Sequence, residues 1–400
     1  MGHKIIIAAA NTPAEAAHNA DFICTGKNDE LLINKAVAML TRGGTIQLLD
    51  GDYYIDSFPG EGNSAICFGY NDGNARVINF IGDTENKSYN TRYGVTLHVT
   101  KKAMEQMDPA QTYRAFYGTV KRPEAPGVFY RMTHINNVNF KNFYLYFHDA
   151  SKPFIGIDAS GFGSSRVEQV GVYTEEYFND RFLHRKPATP CKNSIAFLSC
   201  HGSNDEMARI GYDTASAGGM YIGFMLDGVD HLIMNTCTTA RCCYGYYLTG
   251  TAKTLTMVNC ADEGNTHLPH FAAAPETFHN PGGGNRQLTC VDLCIERFKE
   301  EYIPDDPEGN TEPFATEEHP GDWGGYISFT LQGRAFGVNH FWRDGDGRNV
   351  VTVNQKNLRL IRSEHPEFLE TFFDTATNKT LTWNGSHWVD AMGNICDDKQ

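Results

Sequence analysis

The sequence predicts an all-β chain built as a parallel β-solenoid, entered through one helix and finished by a small C-terminal β-unit. Three observations carry that expectation. First, "GFMLDGVDHLIMNTC" (223–237) recurs as "GYYLTGTAKTLTMVNC" (245–260). Gly223, Leu226 and Gly228 return as Gly245, Leu248 and Gly250 at a step of 22, and Leu232, Met234 and Cys237 return as Leu255, Met257 and Cys260 at a step of 23. A coil of about three short strands and their turns has that length, and it cannot bury its inner face without a neighbour. Second, no convincing long helix occurs after about residue 60. Third, Asn384-Gly385 lies between Trp383 and Trp388 in a run of β-favouring residues, a strong hairpin signal because a type I′ turn needs positive φ at both central positions.

The elements follow in order. Residues 1–19 read as an N-terminal extension, and 20–58 as a capping helix plus the first coil. In "ADFICTGKNDELLINKAVAMLTRGGTIQLLDGDYYI" (20–55), Asn28 is placed to cap a helix whose first turn carries Asp29 and Glu30, acids that suit the helix dipole. Ile33, Val37 and Leu40 repeat at helical spacing, and Gly43-Gly44 ends the run. "TIQLLDGDYYI" then reads as two short strands turned at Asp50-Gly51. Residues 59–362 read as the solenoid, with loops inserted at 267–285 and 300–325. Its strands show as alternating runs: "ARVINFIG", "NVNFKNFYLYF", "FIGIDAS", "MYIGFMLDG", "YGYYLTG" and "LTMVNC". Stacking sets like residues over like, so Cys237 and Cys260 should form an interior ladder. A β-sandwich with chance similarity is the competing architecture. Residues 363–400 form the terminal unit.

Composition bounds the function. The formal charge of −14 and the lack of a basic cluster argue against nucleic acid as partner. No apolar run reaches 18 residues, so no membrane insertion is expected. The apolar stretch Ile5 to Ala10 is too short for a secretory signal. The 11 cysteines include no Cys-x2-Cys pair, so most read as buried apolar residues made in a reducing compartment rather than as zinc ligands or a disulfide frame.

The entry segment, with "GGTIQLLDGDYYI", resembles the start of right-handed parallel β-helix proteins of the pectate-lyase-like class, in which a helix plugs the open end of the solenoid. That resemblance spans about residues 20 to 300 and implies a right-handed parallel β-helix. The stretch "FFDTATNKTLTWNGSHWVDAMG" (372–393) resembles a short β-unit found at the ends of bacteriophage tail and fibre proteins. Phe373, Asp374, Thr375, Asn378, Lys379, Trp383, Asn384, Gly385, Trp388, Val389, Asp390 and Gly393 match it; Thr380-Leu381-Thr382 and Met392 depart from it. Together the two resemblances imply a tail-spike or fibre-like appendage, a homotrimer made in the bacterial cytoplasm and carried on the virion. They imply other tail proteins and a bacterial surface polysaccharide as partners, the glycan bound, with its cleavage a further expectation. A stand-alone lyase or glycoside hydrolase of the same fold, cytoplasmic or extracellular, is the alternative.

Candidate chemistry gathers in three places. Asp227 and Asp230 in "LDGVDH", with Asp262 and Glu263 in "NCADEGN", are the carboxylates nearest the repeat. Glycoside hydrolysis needs two such groups, and adjacent coils sit ~4.8 Å apart; turn formation and solubility are the competing account. In the 267–285 loop, His267 and His270 are candidate substrate contacts. His279 and Glu263 complete a conceivable metal set, but a loop fixes no ligand geometry, so no metal and no cofactor is expected. The long acidic segment 300–326 offers Tyr302 and Trp323, and "NHFWRDGDGRN" offers Trp342 and Arg343, residue types suited to stacking on or bonding to sugars.

Overall fold

A computed structural model describes residues 3–69, 76–84, 94–118, 137–160, 162–175, 177, 191, 194–200, 209–227, 231–249, 254–265, 270–271, 287–291, 293–297, 326–331, 350–353, 356–357, 371–374 and 379–396. The protein is mostly β. Among the described residues, 19 strands form one hydrogen-bonded set, 7 a second and 3 a third. In the second set, Ser64–Phe68, Arg114–Gly118, Ile155–Asp158, Ile195–Cys200, Ile222–Asp227, Tyr244–Thr249 and His270–Phe271 lie side by side in chain order, each parallel to the next. The first set is parallel throughout except at Val350–Val353 and Lys356–Asn357. From Asn137–Phe147 to Cys294–Arg297 the described strands alternate between the two sets, so these long parallel sheets are consistent with a solenoid.

Register explains the core. Ile46, Phe80, Phe140, Val167, Tyr212, Met234 and Met257 occupy one row across successive strands of the first set, all buried. Facing them, Ile66, Phe116, Ile157, Phe197, Phe224 and Tyr246 form a row in the second. Phe224 stacks between Phe197 (4.7 Å) and Tyr246 (5.5 Å). Because a strand's side chains alternate, each coil sends every second residue inward. The repeat steps read from sequence are the actual pairings: Leu226 opposes Leu248, and Leu232 and Met234 oppose Leu255 and Met257. Cys237 and Cys260 are both buried, one strand apart, where Ala261 N–H donates to the Cys237 carbonyl at 2.8 Å. The Cys237 thiol donates to the Asn235 carbonyl and that of Cys260 to the Val258 carbonyl, each at 3.6 Å, and burial holds the Cys237 thiol above its ordinary range.

A single residue of positive φ marks the corner between the two half-strands in five strand lines of the first set. Asn142, Gln169, Thr214, Thr236 and Asn259 occupy it in successive coils, all with φ between 51° and 60°. The backbone ladder runs through this corner: Thr214 N–H donates to the Asn235 carbonyl and Thr236 N–H to that of Val258, each at 2.8 Å.

The helix Asp29–Met39 forms where expected, but its acids do other work. Asn28 stands at the N-cap in a left-handed conformation (φ 50°) and its side chain makes no capping bond. Asp29 accepts instead from Thr25 N, Gly26 N and Tyr54 N. Glu30 accepts from Asp56 N and Ser57 Oγ. Both carboxylates are buried, and they fasten the helix to the first coil. The predicted strands Gly44–Leu48 and Gly51–Ile55 are present, each parallel to a strand of the next coil. Residues His3–Ala8, read as part of an extension, add a further parallel strand beside Gly44–Leu48.

At the C-terminus, Thr371–Asp374, Lys379–Trp383 and Trp388–Asp390 make an antiparallel sheet. Trp383 opposes Trp388, with ring centroids 5.6 Å apart. The turn is not type I′. Gly385 has φ 95° while Asn384 does not share a positive φ, and Asn384 Oδ1 accepts from Ser386 N and His387 N. The side-chain acceptor supports a four-residue loop where a two-residue turn was expected.

Candidate functional site

The described surface concentrates aromatic and titratable groups in one patch, on the outward side of the half-strands just after the corner. In Gly51–Ile55, Tyr53 and Ile55 point inward, leaving Asp52 and Tyr54 outside. In Val95–Val99 the outward pair is Thr96 and His98. In Asn137–Phe147 it is Tyr144 and Tyr146. Register then aligns Tyr54, His98, Tyr146 and Tyr173 in one row. Tyr54 stacks on His98 at 5.1 Å and 16°. Tyr146 meets His98 at 5.9 Å and His148 at 4.5 Å, edge to face in both cases. Two glycines make room for the continuation: a Cβ on Gly171 would overlap the Tyr144 ring, and one on Gly218 would lie 2.5 Å from Tyr177 Cδ2. Tyr144, Tyr173 and Tyr177 therefore pack ring to ring, at 5.8 and 4.9 Å.

A hydrogen-bonded chain runs through this patch. Asp52 Oδ1 lies 3.0 Å from His98 Nε2, and His98 Nδ1 lies 3.0 Å from His148 Nε2. The other Asp52 oxygen accepts from Asn11 Nδ2 at 2.7 Å, while Asp52 N–H donates to Asn11 Oδ1 at 2.8 Å. The tautomers follow from the partners. An ionised carboxylate only accepts, so His98 Nε2 carries hydrogen; in the neutral ring Nδ1 then accepts from His148 Nε2–H. His148 Nδ1 is left as the lone-pair end of the relay. The hydrogen bond from His98 holds Asp52 below the usual carboxylate range. Burial, with the nearby Lys101 charge, lowers His148 to about 4, so it is neutral at pH 7. Lys101 pairs with Glu175 at 3.4 Å at the rim. Burial and Glu175 push Tyr146 above its ordinary range. The groups lie in line rather than converging, and no cluster of three metal-ligating side chains occurs among the described residues.

Of the residues expected from sequence, Asp262 and Glu263 are the ones whose side chains are described. Asp262 and Glu263 are consecutive in Ala261–Asn265 and face opposite ways. Glu263 is exposed, whereas Asp262 is enclosed in the core, where its Oδ1 accepts from Asn265 Nδ2 (2.6 Å) and Thr239 Oγ1 (3.1 Å). The two carboxylates therefore do not share a groove. Asp227 and His270 are described by their backbones, which pair with Thr249 and Tyr247. Asp230, His267, Tyr302, Trp323, Trp342 and Arg343 lie outside the described residues. Asp52, His98 and His148 escaped sequence reading because 46 and 50 residues separate the partners. The available signal was the alignment of "GDYYI", "VTLHV" and "FYLYF" as equivalent half-strands.

No protein-family profile matches the chain, and no curated protein does. Among solved structures, tailspike protein 3 of bacteriophage CBA120 aligns over 93% of this chain and 68% of its own, with 12% identity and a TM-score of 0.16. A score that low carries no argument about this chain. No helix among the described residues is long and apolar enough to cross a membrane.

Proposed function

We propose that this chain is a right-handed parallel β-helix appendage of a bacteriophage particle, and that it binds a bacterial surface glycan. The observation that carries the binding reading is the outward row Tyr54–His98–Tyr146, extended by Tyr144. Rigid rings edged by hydrogen-bonding groups suit a sugar, whose apolar face stacks while its hydroxyls bond. Parallel strand stacking supports the β-helix part of the reading, and the terminal unit supports the appendage part. The loops at 267–285 and 300–325, with Tyr302 and Trp323, would extend the contact surface.

The test is a bacterial-glycan array probed with the wild-type chain and with a Tyr54→Ala/Tyr146→Ala double variant. Retention of a glycan by wild type and its loss in the variant is expected. A variant that binds the same glycan equally well would remove this patch from the reading, and a wild type that binds none would remove glycan recognition.

A further inference from the structure

We propose that Thr239 and Asn265 join two neighbouring coils through an ester that the fold itself forms, with Asp262 as proton carrier. All three side chains are fully buried, and none of them enters the binding reading above. Thr239 and Asp262 are register partners on adjacent parallel strands, Thr238–Ala240 and Ala261–Asn265. Simple alternation from Asp262 would point Asn265 outward. The register shifts between Glu263 and Asn265, and such an irregularity re-aims the side chain that follows it. Asn265 therefore joins the other two inside, where Gly245 has no side chain to occupy the space.

The set holds the parts of an acyl transfer. Thr239 Oγ1 lies 3.1 Å from Asp262 Oδ1, a base within reach of the hydroxyl proton; its other acceptor is the Ala261 carbonyl at 3.3 Å. Asn265 Nδ2 donates to Thr239 Oγ1 at 2.9 Å and to Asp262 Oδ1 at 2.6 Å, so the leaving nitrogen already faces the group that would protonate it. Cys242 N–H donates to Asn265 Oδ1 at 2.7 Å. Being only a donor, it fixes which end of the amide is oxygen, and it would stabilise the negative charge that grows there on attack. The amide carbon is one bond, about 1.3 Å, beyond Nδ2, and rotation of the amide turns its face to the hydroxyl. Burial keeps out water, the competing nucleophile, and holds the reacting groups at high effective concentration.

In the step, Thr239 Oγ1 gives its proton to Asp262 and bonds to Asn265 Cγ, while the carbonyl electrons move onto Oδ1. The carbonyl then re-forms, the Cγ–Nδ2 bond breaks, and Asp262 passes the proton to the departing nitrogen. Hydroxyl and amide become ester and ammonia, Asp262 is restored, and no other reactant is consumed. The bond spans 26 residues of sequence and ties one coil to the next.

The full chain is weighed intact by mass spectrometry, then digested and its peptides sequenced. Wild type should be one ammonia lighter than its sequence, with the peptides holding Thr239 and Asn265 joined, and hydroxylamine should part them. Thr239→Ser should keep the link, and Thr239→Val should restore the full mass. Asp262→Asn should form the link roughly 10²-fold more slowly, read as the linked fraction over time after synthesis. A wild type of full sequence mass overturns the proposal, and that measurement stands even where a variant does not fold. Ammonia lost without joined peptides, or lost equally in Thr239→Val, identifies ring closure of Asn265 on its own backbone and overturns it too. Equal rates in wild type and Asp262→Asn overturn the role given to Asp262.

Discussion

Gly245 and Asp262 share one space: a Cβ on Gly245 would overlap Asp262 Oδ1 and Thr239 Oγ1, and would lie 2.6 Å from Asn265 Nδ2. The absent side chain is what lets a buried carboxylate, a threonine and an asparagine close a hydrogen-bonded set inside the stack. Asn265 completes it by accepting from Cys242 N–H at 2.7 Å.

Gly245→Ala should therefore lower unfolding stability by ~1–3 kcal/mol, the usual cost of overfilling a core. Asp262→Ala should also destabilise, because Asn265 and Thr239 lose a buried partner. The two changes combined should cost less than their sum, since the second vacates the space the first needs. Urea denaturation of the three variants checks this, and strict additivity would place the residues apart.

The thiols of Cys237 and Cys260 should resist alkylating reagents until the chain unfolds. Aspartate at either position should cost several kcal/mol by burying an unpaired charge (~3 kcal/mol or more). Mass-spectrometric mapping of labelling, native against denatured, is the measurement. Rapid native labelling of both would contradict the stacked register.

Stability should fall with acidity in two windows. His148 has a folded pKa lowered from 6.5 to about 4, so the unfolded chain takes up its proton first, and stability declines as pH drops from 6.5 towards 4. Asp52 is also lowered, but here ionisation favours the fold; its contribution is present above the ordinary carboxylate value of 3.8 and vanishes as pH falls through the depressed value. Urea midpoints across pH should show the upper slope flattened in His148→Gln and the lower one in Asp52→Asn.

Light scattering should give three times 44.6 kDa at micromolar concentration. The motivation is the parallel strand stacking joined to the C-terminal antiparallel unit, which the appendage reading places in a symmetric assembly. A stable monomer would count against the appendage reading.

Much of the stack was legible because its signal is local. "NVNFKNFYLYF" alternates over its whole length and is one strand, Asn137–Phe147. The steps of 22 and 23 survive as true pairings because the coils containing Met234 and Met257 differ by one residue. The helix was legible too, but the use of Asp29 and Glu30 was not, since their partners Tyr54 and Asp56 lie 25 and 26 residues on. Asp262 misled for a related reason. Charge and a neighbouring glycine suggest a surface turn, and only the register, which brings Thr239 alongside, shows that it points inward. The Asp52–His98–His148 chain spans coils whose lengths differ, so no fixed period aligns its members.

The corner at Asn142, Gln169, Thr214, Thr236 and Asn259 bears on how such a chain can grow. Between these positions the coil takes 27, 45, 22 and 23 residues, yet a single residue of positive φ marks the corner every time. Extra length is thus absorbed elsewhere in the circuit, and both half-strands stay in phase. A duplication or excision running from one corner to the next, such as 237–259, inserts or removes a whole turn without shifting any side chain from inside to outside. Lineages can lengthen, shorten or redecorate the stack of parallel strands in modular steps while the outward rows of the remaining strands keep their neighbours.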